Sequence, residues 1–153
     1  MTRSLIIALV AIPLAYAAVG AAAPRAHDGA TGIVKERMEQ MKSMSRAMKE
    51  LAHMFKGEVP YDAPAVAAAA RGIERRAGAK VTVLFPEGSA GHPSEAKEAI
   101  WHDWATFEAK ADDLATRASA LAASAADGVD GAKGAFADLA GTCKACHRSF
   151  KED

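Results

Sequence analysis

The chain has 153 residues, half of them apolar, with 19 basic and 19 acidic side chains and a formal charge of zero. That length suits one domain around a single core, and with no basic run or surplus of positive charge it lacks the electrostatic footprint of a nucleic-acid binder. Aromatic residues make up only 6% while alanine supplies much of the apolar share, a balance that favours closely packed helices, and so an all-α fold, over a β-rich core.

Residues 1–23 read as an export signal. Arg3 gives the positive start, Leu5 to Ala15 the short apolar stretch and Ala17 to Ala23 a small-residue cleavage zone. A membrane anchor fits less well, because Pro13 interrupts the run and it falls short of the ~20 residues a spanning helix needs. Cleavage within a few residues of Ala23 leaves 24–153 as one helical domain with no membrane span.

A first helix is expected from about Thr31 to Lys56. Thr31 can cap its start, and Gly57 followed by Pro60 stops it. Val34, Met38, Met41, Met44, Met48, Leu51 and Phe55 recur every three or four residues and form one buried stripe. Five of the six methionines lie in this helix. They are adaptable core filler, and a thioether is also a soft metal ligand; periodicity alone does not select one of them.

A second helix follows from about Ala63 to Ala79, with Asp62 before it and Pro64 in its first turn. Its alanines allow close helix approach, and Arg71, Arg75 and Arg76 read as a solvated face. Val81 to Phe85 has no strand to pair with and is expected as helix end and loop. After a Pro- and Gly-rich connection, Phe85 to Pro93, a third helix is expected from Ser94 to about Ala126. Its seam is Ile100, Trp104, Phe107, Ala111, Leu114, Ala118, Leu121 and Ala125. Trp101 lies beside that seam, where its ring can reach another helix or a cofactor edge, and His102 is expected on the surface.

The fourth helix should run from about Ala132 to Phe150, with Phe136, Leu139, Cys143, Cys146 and Phe150 on its seam. It carries Cys143-Lys144-Ala145-Cys146-His147. Positions i, i+3 and i+4 share a helix face, so both thiols and the imidazole point one way. Cys-x-x-Cys-His is the attachment sequence of a c-type haem: two thiols bond one porphyrin edge and the adjacent histidine reaches the iron. Zinc would want four ligands, and the chain has two cysteines in all. A thioredoxin-like pair belongs beside a strand in a βαβ unit, and a structural disulfide leaves His147 unexplained. The expectation is an antiparallel up-and-down four-helix bundle with one covalent haem c in its core, near the C-terminal helix. An exported chain with this motif points to a bacterial periplasm.

The motif's C-terminal position, Arg37-x-x-x-Met41-Lys42, Lys56-Gly57 with Pro60-Tyr61-Asp62, Phe85-Pro86-Glu87-Gly88-Ser89, and Ala99-Ile100-Trp101 with Phe107 together resemble the class II cytochromes c, the cytochrome c′ family. The set spans nearly all of residues 24–153. The resemblance implies covalent attachment through Cys143 and Cys146, His147 as proximal iron ligand and Met41 on the distal side. It also places Lys151 near the proximal imidazole, and puts Arg37, one turn from Met41, within reach of a haem propionate. Family members are either six-coordinate electron carriers with a ligating methionine or five-coordinate proteins that bind nitric oxide or carbon monoxide. Methionine occurs at this position in both branches, and the soft ligand favours the carrier. A peroxidase-like enzyme needs a distal acid or base, and His53 lies three turns from Met41. The chain therefore reads as an electron-transfer protein and not as an enzyme. Homodimers through the first two helices are common in the family, and the redox partners are not legible in the sequence.

Overall fold

The computed structural model describes residues 29–152, so the expected export signal lies outside the described residues. The helices are α1 (Gly32–Phe55), α2 (Ala63–Glu74), α3 (Ala79–Thr82), α4 (Ala99–His102), α5 (Trp104–Ser124) and α6 (Gly128–Phe150), with a 3₁₀ turn at Ala125–Asp127 before α6. Among the described residues there is no strand, and no helix is long and apolar enough to cross a membrane. The long helices form a ring in which α2 packs on α1 and α5, and α6 packs closely on α5 but touches α1 only sparingly. That loose side is where the bundle opens.

The ends of α1 and α2 follow local chemistry. Thr31 holds the extended cap position of α1, but its hydroxyl makes no capping hydrogen bond; only its carbonyl enters the helix, accepting from the Lys35 amide at 3.3 Å. At the other end Gly57, at φ +75°, takes the left-handed conformation. The amides of Gly57 and Glu58 then donate back to Met54 and His53 at 3.1 and 2.9 Å, which terminates the helix as a Schellman motif. Asp62 caps α2 by accepting from the Ala65 amide at 3.0 Å. Tyr61 Oη donates to the Ala125 carbonyl at 2.8 Å and ties this entry to the turn between α5 and α6.

Two expected helices are shorter than their periodicity suggested. The second ends at Glu74, because Gly78 (φ +58°) turns the chain so that its amide donates to the Ala111 carbonyl of α5 at 2.9 Å. A Cβ there would stand 3.1 Å from Asp112 Oδ1, so the close approach depends on glycine. The single turn α3 then places Val81 and, just beyond it, Leu84 and Phe85 in the core. The third helix starts at Ala99, not at Ser94, and breaks at Asp103 (φ −133°, ψ 54°). Residues 94–98 are engaged elsewhere. The Lys97 amide donates to the Phe150 carbonyl at 3.0 Å, the Glu152 amide to the Glu95 carbonyl at 2.8 Å, and Ala96 and Lys151 form an antiparallel bridge. These bonds clasp the end of α6 and use up backbone groups a helix would need. Conversely, α6 begins four residues earlier than expected, at Gly128.

The core follows the expected seams. Leu51, Val66, Ile73, Ile100, Leu121 and Leu139 are fully buried, each worth roughly 1.5–3 kcal/mol relative to exposure. Phe55 of α1 stacks on Phe136 of α6 at 4.4 Å and 8°, with Tyr61 edge-on to Phe55 at 5.7 Å. In the other half Phe107 meets Phe85, Phe150 and Trp104 at 4.9, 5.4 and 5.5 Å.

Candidate functional site

Between α1 and α6, in the half of the bundle away from the Phe55–Phe136 stack, lies a mostly apolar cavity of about 410 Å³, within the ~300–1,000 Å³ typical of cofactor sites. From α6 it receives Cys143, Cys146 and His147, and from α1 Met38, Met41, Met44 and Met48. The 3.6-residue period explains both walls, since each set repeats at three- and four-residue steps along one helix face. The floor is closed by Phe107 and Phe150.

Both cysteines are free and half-buried. The Cys143 thiol donates to the Leu139 carbonyl at 3.6 Å. Burial pushes both thiols upward, a push that Lys110 partly offsets at Cys146. They therefore stand as neutral thiols at neutral pH. His147 is exposed by area at the cavity edge, yet protein lies close enough around it that burial lowers its pKa; Lys151 pushes in the same direction and Glu95 opposes. A lowered value leaves a neutral imidazole with a free lone pair, which is the form that binds a metal. Lys151 Nζ pairs with Glu95 at 3.0 Å beside this wall.

Arg37 is the buried cation of the site, only 4% exposed. Its Nε donates to the Leu84 carbonyl at 3.1 Å, Nη1 to Ser94 Oγ at 2.7 Å and the Ser89 carbonyl at 3.3 Å, and Nη2 to Ser89 Oγ at 2.6 Å. Its guanidinium lies 4.0 Å from the centre of the Phe85 ring, a cation–π contact. Burial lowers its pKa, and a guanidinium keeps its charge in proteins. It makes no ion pair among the described residues. Arg37 is thus neither solvated nor idle: it pins the middle loop against α1 one turn before Met41.

Of the residues singled out in the sequence, Cys143, Cys146, His147, Met41, Arg37 and Lys151 line the one cavity. Trp101 does not. It lies in a separate shallow groove with Trp104, Pro86 and Glu87, and its indole Nε1 donates to the Phe85 carbonyl at 3.0 Å, so it supports the site through the loop. His53 lies away from the cavity and hydrogen-bonds Glu58. The sequence reading missed Ser94 and Glu95 as wall residues and Lys110 beside Cys146. Ser94 carries a helix-cap signal locally, and no local pattern connects it to an arginine 57 residues away.

The donor set suits a haem: two thiols and an imidazole on one wall, a thioether within the facing α1 wall, and an apolar enclosure between them. Comparison with known proteins agrees. The family described as Cytochrome C′ matches residues 32–151. Cytochrome c-556 of Agrobacterium fabrum is 38% identical over 80% of this chain and 82% of that protein. Cytochrome c′ of Pararhodospirillum photometricum is 37% identical over 78% and 95%, respectively. Among solved structures, a nitric oxide complex of a mutant cytochrome c prime from Alcaligenes xylosoxidans superposes with a TM-score of 0.71 at 29% identity, covering 79% of this chain and 94% of that one. The bundle, its cavity and these relatives agree on one conclusion: the chain is a c-type cytochrome of the cytochrome c′ family, and haem c is the prosthetic group that this membership implies.

Proposed function

We propose that this chain is a periplasmic single-electron carrier holding one haem c, bonded covalently through Cys143 and Cys146, with His147 as proximal and Met41 as distal ligand. The observation that carries the reading is one apolar cavity receiving two thiols and an imidazole from α6 and a methionine stripe from α1. The bound group would supply a reversible ferric/ferrous couple. The chain's residues supply the conditions for using it.

His147 offers a neutral nitrogen, and Met41 a soft sulfur that favours the reduced iron. Apolar walls keep water out and limit reorganisation when charge changes. Arg37, buried and without a carboxylate partner among the described residues, can offer its charge to a haem propionate while its other donors hold the Ser89 and Ser94 loop. Lys151 is engaged with Glu95 and so steadies the His147 wall.

The second reading is a five-coordinate gas binder, favoured by the nitric oxide complex of the Alcaligenes relative. There Met41 would shield an open distal position without ligating. The absorption spectrum separates the two. The carrier predicts a low-spin oxidised protein with a sulfur-to-iron charge-transfer band that Met41→Ala abolishes. A high-spin oxidised protein that binds carbon monoxide readily on reduction overturns the ligation by Met41.

A further inference from the structure

Arg37 is hydrogen-bonded to two serine hydroxyls, and the two are not equivalent. Ser89 Oγ accepts from Arg37 Nη2 at 2.6 Å and donates its own proton to the Pro86 carbonyl at 2.7 Å. That proton is used within the loop, and Ser89 does not line the cavity. Ser94 Oγ instead accepts twice, from Arg37 Nη1 at 2.7 Å and from the Ala96 amide at 3.2 Å. Two accepted bonds occupy both lone pairs of a hydroxyl and leave its one proton to donate. Among the described residues that proton meets no acceptor. Ser94 is only 9% exposed and stands in the cavity wall beside Arg37. A donor so buried is costly to leave unmade, and the cavity is the side left open to it.

We infer that Ser94 donates this proton to a propionate of the haem, with Arg37 behind it as the charge that strengthens the bond. The inference rests on the haem c reading and adds the residue that positions one of the group's carboxylates; it does not need Met41 to ligate. Four of the five N–H groups of Arg37 are already engaged. Its charge still reaches the cavity through Ser94, because a hydroxyl that accepts from a cation is polarised and donates more strongly. A carboxylate is the acceptor that suits such a donor, since a bond to an ionised group is roughly twice as strong as a neutral one. The chain offers none in place: Glu95 is the one carboxylate lining the cavity, and it pairs with Lys151 at 3.0 Å. Residues 95–97 are bonded to the end of α6, so the donor is held in a fixed relation to Cys143, Cys146 and His147. The propionate and the thioethers would then set the ring's orientation together.

The test is resonance Raman spectroscopy of the oxidised holoprotein, in which the propionate bending band reports hydrogen bonds to that carboxylate. An accepted hydrogen bond stiffens the bend, so Ser94→Ala should move the band to lower frequency. Ser94→Thr, which keeps the hydroxyl, should return it to the wild-type position. Ser89→Ala also strips one hydroxyl from Arg37, yet it should shift the band clearly less. Equal shifts in Ser94→Ala and Ser89→Ala, or an unmoved band in both, overturn Ser94 as the donor. Should Ser94→Ala fail to fold around its haem, a crystal structure of the wild-type holoprotein gives the answer. Ser94 Oγ within about 2.5–3.0 Å of a propionate oxygen bears the inference out, and a hydroxyl turned to any other acceptor overturns it. The same spectra separate this inference from the proposed function. A chain without haem shows no propionate band and sinks both, whereas high-spin marker bands sink only the ligation by Met41.

Discussion

The two halves of the α1–α6 seam show what the same pair of helices does with different side chains. At one end Phe55 and Phe136 stack at 4.4 Å, Tyr61 braces them, and Leu51 and Leu139 nearby are fully buried. At the other end the same stripes carry methionines on α1 and two cysteines with a histidine on α6, and the helices part around a cavity of about 410 Å³. The first end can hold itself together as ordinary core, whereas the second has too little protein to fill its own interior. The expected filling of the open end is the haem, so a structural role falls to the prosthetic group along with its chemistry.

That contrast can be broken at either end. Replacing both proposed attachment residues, Cys143→Ser with Cys146→Ser, should produce the largest change: no covalent haem on a haem-stained denaturing gel, and a loss of unfolding free energy on the order of 4 kcal/mol as a tightly bound group is released. If the double variant kept its haem through denaturation, the attachment assignment would fail. At the closed end, Phe136→Ala should cost about 2–3 kcal/mol in urea unfolding, below the ~3–5 kcal/mol of a fully buried ring because Phe136 is half-buried. The holoprotein spectrum should not move; a shifted spectrum would mean the two ends are coupled.

The smallest effect is expected at the end of α1. A hydrogen bond from His53, helped by the charge of Lys56, holds the Glu58 carboxyl below its ordinary range. A depressed carboxylate contributes stability above its unfolded value and loses it as the pH falls through the folded one. His53→Ala should therefore flatten part of the acid-side decline in melting temperature while leaving neutral-pH spectra unchanged. An unaltered acid limb would assign that decline to other groups.

Much of this architecture is legible in sequence because it is local. The three- and four-residue spacing of Met38 to Met48 and of Phe136 to Phe150 fixes two helix faces, while Gly57 marks the end of α1 and Asp62 the start of α2. The adjacency of Cys143, Cys146 and His147 carries the expectation of haem c, the group that family membership implies. What sequence pattern could not give is non-local. Residues 94–98 carry a sound helix-start signal, but their backbone is claimed by the end of α6, more than fifty residues later. The reach of Arg37 to Leu84, Ser89 and Ser94 is equally silent, because a long side chain's partners depend on which loop folds over it. The bundle seam predicts that Trp101 lies off it, yet not which side of Phe85 it would occupy.

The clasp between residues 95–97 and 150–152 also bears on the order of assembly. The two segments that form it lie more than fifty residues apart, so the wall of the cleft beside His147 is completed only when the end of α6 meets the segment before α4. Until those bonds form, the cleft faced by the two thiols lacks the side that Glu95 and Ala96 supply. Closing the clasp afterwards would turn an entry route into a wall. Those few backbone bonds thus bear on when the pocket can shut.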